Sequence, residues 1–123
     1  MDYTEVGWLR GIYLEDSWVL DITARPGVLI IEVEFVLTPD HPAYQPAPPD
    51  KQHCYRRGTL QFHAVTDLRW SGQGRPPARD ASGELDYGNI DTMTINGEFV
   101  KLSGDFGDIE LRAESGEVRL RQH

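Results

Sequence analysis

The sequence predicts an all-β domain, an antiparallel two-sheet sandwich or a partly open barrel of about eight strands. Three observations carry that reading. The stretch from Ser17 to Leu37 alternates apolar and polar residues with period 2, the side-chain period of a strand with one buried face. Turn residues recur about every 10 positions in the C-terminal third, the spacing of a sandwich or barrel. No stretch longer than two turns carries a 3.6-residue period, so no long helix competes with the strands.

The Ser17–Leu37 stretch reads as a long hairpin. Trp18, Leu20 and Ile22 alternate with Val19, Asp21 and Thr23. After the bend, Leu29, Ile31, Val33, Phe35 and Leu37 alternate with Ile30, Glu32, Glu34 and Val36. Arg25-Pro26-Gly27 separates the two runs. Pro26 fixes φ and Gly27 tolerates φ > 0, so the reversal has a mechanism. Upstream, residues 1–11 show little pattern beyond Trp8 and Leu9, which read as one packed contact, with room for a short helix. Ile12–Leu14 opens a short strand that Glu15-Asp16-Ser17 interrupts.

From Pro39 to His53 the composition changes. Pro39, Pro42, Pro46, Pro48 and Pro49 crowd this stretch, and proline cannot donate to a sheet ladder. The segment is a loop with polyproline II character, read as a stiff crossing between sheets in preference to a docking segment that displays Tyr44. Tyr55–Trp70 is the second long strand region. Leu60, Phe62, Ala64, Thr66, Leu68 and Trp70 share the inward parity, and Gln61, His63, Val65, Asp67 and Arg69 the outward one. It exceeds the usual strand length of about 3–10 residues, which predicts a bulge or bend near Ala64–Thr66. Ser71–Gly83, with Gly72, Gly74, Pro76, Pro77 and Gly83, reads as exposed and mobile.

Residues 84–121 read as a meander. Asn96-Gly97 is its strongest hairpin signal, a type I′ turn between Asp91–Ile95 and Glu98–Leu102. Gly104–Gly107 makes the next turn, and Ser115-Gly116 the last, between Ile109–Ala113 and Val118–Arg121. The predicted core is Trp18, Leu20, Ile31, Val33, Phe35, Leu60, Phe62, Leu68, Trp70, Val100, Leu102, Ile109 and Leu111.

At 123 residues the chain is one domain, 1–123, large enough to own a core without staples. A single cysteine, Cys54, excludes an internal disulfide framework. No N-terminal apolar run follows a basic start and no apolar run reaches membrane-spanning length, about 20 residues, so no signal peptide is expected and the expected location is the cytoplasm. The net charge is −8, and it is uneven. Residues 1–40 carry eight acids against two bases, residues 41–81 six bases against three acids, and residues 82–123 nine acids against four bases. Such a chain repels nucleic acid and anionic membranes and attracts basic partners.

No catalytic signature is present. His53-Cys54 and His63 fit no zinc spacing. The acids Asp105, Asp108 and Glu110 lack the spacing of a calcium loop. No nucleophile-elbow or phosphate-loop pattern occurs. No metal and no cofactor is therefore expected. Two candidate sites remain. Acids interleaved with aliphatics on the hairpin, Asp21, Glu32 and Glu34, joined by Asp105 and Asp108, resemble a protein interface. Alternatively His63, Asp67 and Trp70 line a ligand or enzyme pocket.

The run Tyr13-Leu14-Glu15-Asp16-Ser17-Trp18-Val19-Leu20-Asp21-Ile22, then Gly58-Thr59-Leu60-Gln61-Phe62 through Trp70, then Asp86-Tyr87-Gly88-Asn89-Ile90-Asp91, resembles small bacterial proteins of the immunity protein 50 type. The resemblance covers most of residues 12–110 through short motifs. It departs from the usual Leu-His-Asp opening, here Leu14-Glu15-Asp16, and brings over no catalytic residue. What it implies is a cytosolic binding protein that blocks a toxin; the acidic charge adds that such a toxin would be basic, and the missing catalytic signature that the chain is a non-enzymatic interaction protein. The residues alone leave three expectations: a partner-binding acidic domain with neither nucleic acid nor membrane as ligand, a small-ligand binder around His63, and a homodimer joined through an open sheet edge.

Overall fold

The computed structural model describes residues 1–79, 83 and 85–121. The fold is all-β. The strands among the described residues are β1 (Ile12–Arg25), β2 (Gly27–Leu37), β3 (Cys54–Ser71), β4 (Ala78–Arg79), β5 (Leu85–Asp86), β6 (Ile90–Asn96), β7 (Phe99–Gly104), β8 (Gly107–Arg112) and β9 (Ser115–Leu120). Residues 1–11 hold two single-turn 3₁₀ segments, Tyr3–Glu5 and Gly7–Leu9. Seven strands make one antiparallel sheet, ordered β1-β2-β3-β8-β7-β6, with β9 also on β3. It is not closed into a barrel. β4 and β5 form a separate small ribbon. Part of the Ser71–Gly83 stretch, residues 80–82, lies outside the described residues.

β3 organises the sheet. Its first two-thirds pair β2 on one side and β9 on the other, and its last third pairs β8. The bend predicted for this strand is present. Ala64 and Asp67 take φ of +52° and +54°, and the register slips between Thr66 and Arg69. Each irregularity turns the next side chain over. Phe62, Val65 and Leu68 therefore follow one another inward at three-residue spacing, while Ala64 and Thr66, expected inside, are exposed. A left-handed backbone costs an L-residue about 1–2 kcal/mol, and glycine avoids that cost. Ala64→Gly is thus expected to stabilise the fold by about 0.5–1 kcal/mol. A urea midpoint that rises at unchanged slope would show it; a fall would mean the alanine methyl is worth more than the strain.

β8 and β9 run along β3 as one interrupted strand, from Ser71↔Asp108 to Gly58↔Leu120. The turn expected at Ser115-Gly116 is therefore absent. Gly116 serves a different need: a Cβ there would lie 2.5 Å from Cζ2 of Trp8. The Trp8 ring packs edge-on against Phe62 with centroids 5.9 Å apart. The β6–β7 turn is shifted by one residue. Asn96 pairs with Phe99, and Gly97 has φ +61° while Glu98 does not, the sign pattern of type II′ instead of I′. The Pro26-Gly27 and Gly104–Gly107 turns stand as predicted.

The two wings of the bent sheet enclose one core. β2 and β3 supply Leu29, Ile31, Val33, Phe35, Leu60 and Phe62; β6, β7 and β8 supply Met93, Val100, Leu102, Ile109 and Leu111. Tyr3 and Leu9 of the 3₁₀ segments join it. The buried Tyr3 hydroxyl accepts the Leu14 N–H at 3.0 Å and donates to Glu15. Burial, and then the Glu15 carboxylate, push its pKa far up.

Two predicted core residues are not in it. β1 carries register breaks between Tyr13 and Trp18 and between Val19 and Asp21. These put Val19 inside at 0% exposure and leave Trp18 39% exposed. Leu20 is only half-buried. Ser17, fully buried, patches the first break: its hydroxyl accepts the Val36 N–H at 2.9 Å and donates to the Tyr13 carbonyl at 2.7 Å. The proline-rich segment joins the paired neighbours β2 and β3 instead of crossing between sheets. Tyr44 packs against the core and is not displayed. Among the described residues no helix is long and apolar enough to cross a membrane.

Candidate binding surface

The irregularities of β1 shape the surface above it. In antiparallel pairs, residues directly opposite share a face. Trp18 stands opposite Glu34, and Asp21 opposite Glu32. These four therefore occupy the outer face of the first hairpin, two by two. Two carboxylates placed directly across a strand pair repel each other and destabilise the sheet. The fold keeps Asp21 and Glu32 in that arrangement.

A fourth acid, Asp105, arrives from the other wing. The edge of β1 is clamped at Val19, whose N–H donates to the Gly88 carbonyl and whose carbonyl accepts the Tyr87 N–H, both at 2.8 Å. The Asn89 side-chain amide donates to the Ser17 carbonyl at 2.6 Å. Buried Asp86 accepts the Gly88 N–H at 2.8 Å, which fixes the local turn. Gly88 has φ +79°, and a Cβ there would fall 2.2 Å from Oδ2 of Asp105. Only a residue without a side chain lets the Asp105 carboxylate settle that close. The outcome is a depression of about 420 Å³ walled by Trp18, Leu20, Glu34, Asp86, Asp105 and Arg79, among others.

Ion pairs are unevenly spread over this surface. Glu34 meets Arg57 at 3.2 Å and Glu32 meets Arg121 at 3.4 Å. Both pairs are partly exposed, so each is worth little to stability. Among the described residues no ion pair engages Asp21 or Asp105. The outer face carries its surplus acids on β1 and β2, while Arg57, Arg119 and Arg121 on β3, β9 and the residue after it each meet an acid, Glu34, Glu117 and Glu32.

Of the five acids expected to act together, Glu34 and Asp105 wall the same depression as Trp18, and Asp21 and Glu32 oppose each other further along the same hairpin. Asp108 does not join them. It lies on β8 between Ser71 and Ser103. Trp18, Asp86 and Arg79 were not legible as site residues. A tryptophan in an apolar alternation reads as core, and only the slipped register turns it outward.

The alternative pocket does not form. His63 lies on the outer face of one wing with Nε2 3.1 Å from Glu117. Asp67 lies on the outer face of the other. The Trp70 indole packs against the core and donates to the Phe106 carbonyl at 3.0 Å. A wider depression of about 650 Å³ does include Asp67, over β3, β8, β7 and β6. Within it Arg112 stacks 4.3 Å from the Phe99 ring centre, and Lys101 meets Glu110 at 3.6 Å. No cluster of three or more His, Cys, Asp or Glu among the described residues is arranged to hold a metal ion.

Comparison with known protein families, with curated proteins and with solved structures finds no match.

Proposed function

We propose that this chain is a non-enzymatic binding domain that captures a basic protein, acting in the bacterial cytoplasm as an immunity protein acts on its toxin. The observation that supports this reading best is the exposed Trp18 beside Glu34 and Asp105, with the opposed pair Asp21 and Glu32 further along the same hairpin. An exposed aromatic anchor beside a surplus of acids, here with Arg79 in the same wall, is an arrangement that favours binding hot spots and electrostatic steering. Glu32 already meets Arg121, and a basic partner would supply Asp21 with the counter-charge that no ion pair among the described residues gives it. A toxin nuclease, whose cleft is basic because it holds phosphate, fits that chemistry.

The test compares three forms of the chain as bait for lysate at low salt: wild type, Trp18→Ala, and Glu34→Lys with Asp105→Lys. The expected result is one basic protein held by wild type and released by a salt step. Trp18→Ala should weaken its binding about thirtyfold, the effect of a hot spot worth about 2 kcal/mol. The charge reversal should slow association at low salt by about tenfold or more. A protein held equally by all three forms, or by none, removes the proposal.

A further inference from the structure

β9 carries ladder bonds on one side only, to β3. The phase of those bonds is set by the Arg121 N–H, which donates to the Arg57 carbonyl at 2.8 Å. Bonded residues alternate along an antiparallel pair. Arg119 and Glu117 therefore direct their backbone groups at Thr59 and Gln61, their register partners. Gly116, Val118 and Leu120 direct theirs away from β3, where no backbone bond among the described residues meets them. An edge of this kind is a template for another strand.

The sequence of β9 specifies which strand. Laid antiparallel against a second copy and centred on Val118, it sets Val118 opposite Val118 and Gly116 opposite Leu120. These are the residues whose backbone groups are unengaged, so the bonding phase is right. Glu117, which in the single chain meets Arg119 at 2.8 Å and His63 at 3.1 Å, then falls opposite Arg119 of the second copy, twice by symmetry, at the non-bonded positions where Cα atoms approach to about 4.5 Å. Slipping the register by two residues in either direction sets Glu117 opposite Glu117 or Arg119 opposite Arg119. Both slips cost like-charge repulsion. One register alone satisfies phase and charge together. Pairing also covers Val118 and Leu120, half-buried at the rim of the core.

We infer that β9 is a self-recognition edge through which two copies of the chain form a two-fold dimer in the Val118-centred register, on a surface separate from that around Trp18. The register is isologous, as a two-fold contact requires.

Sedimentation of the full chain from micromolar to millimolar concentration tests this. Wild type should show a monomer–dimer equilibrium. Val118→Pro should raise the dissociation constant by about tenfold or more and leave the monomer folded, at a somewhat lower melting temperature for the lost packing of Val118, because proline is tolerated on an edge where its N–H faces outward. Glu117→Arg should weaken the dimer, and Glu117→Arg with Arg119→Glu should restore it, since the pair is exchanged and not lost. If Val118→Pro fails to fold, the charge exchange decides alone. A chain that stays monomeric at millimolar concentration, a dimer indifferent to Val118→Pro, or an exchange that does not rescue would each overturn the inference.

Discussion

Gly107→Ala is expected to destabilise the fold by about 2–5 kcal/mol, from backbone strain and overpacking acting together. Gly107 opens β8 at φ +113°, a region L-residues rarely enter. A Cβ there would stand 2.0 Å from the Ser71 carbonyl oxygen. That oxygen belongs to the backbone of β3, so the neighbour cannot swing aside. The same turn carries Asp105 and the Phe106 carbonyl that accepts the Trp70 indole N–H. The urea midpoint should fall, and the fluorescence of the folded state should report a displaced Trp70. Gly97→Ala is the control. Gly97 also has positive φ, +61°, but nothing lies within 4 Å of its Cβ position. It should cost about 1–2 kcal/mol, the left-handed penalty alone. Equal losses at the two positions would show that the approach to Ser71 contributes nothing.

Ser17→Ala should cost about 1–3 kcal/mol. The hydroxyl is the acceptor for the Val36 N–H, and Ser17 and Val36 are 0% and 2% exposed. Removing it strands a buried donor where no water replaces the bond. Thr23→Ala, on the regular part of the same strand, should stay within about 0.5 kcal/mol. Because the break that Ser17 patches is also what turns Trp18 outward, Ser17→Ala should weaken partner capture as well as stability. Full stability in this variant would mean that another group reaches the Val36 amide.

Regular alternation made much of the fold legible. β2 could be read as far as Phe35, since Leu29, Ile31, Val33 and Phe35 alternate inward, with Val36 and Leu37 then buried together. The bend in β3 followed from its length. Legibility failed wherever one extra residue reversed the parity. At Trp18 the error moved a large aromatic from surface to core. At Gly116 the glycine was read for backbone freedom, when its use is to admit Trp8. That Asp21, Glu32 and Glu34 share the outer face of the first hairpin was visible, because charge on a strand shows in the sequence. The meeting of Glu34 and Asp105 beside Trp18 was not, because Asp105 reaches Glu34 only through the Gly88 contact and the clamp on Val19, neither of which leaves a periodic trace.

The sharing of β3 between both wings has a consequence for how the chain comes apart. Neither wing owns a complete set of partners without it. A fragment ending at residue 53 would hold β1 and β2 alone, a lone hairpin of marginal stability in water. A fragment starting at residue 72 would hold β6, β7 and β8 with no strand to cover the far edge of β8 or to support β9. The domain is therefore indivisible. No half survives a cut within residues 54–71, and denaturant should melt both wings in one cooperative step.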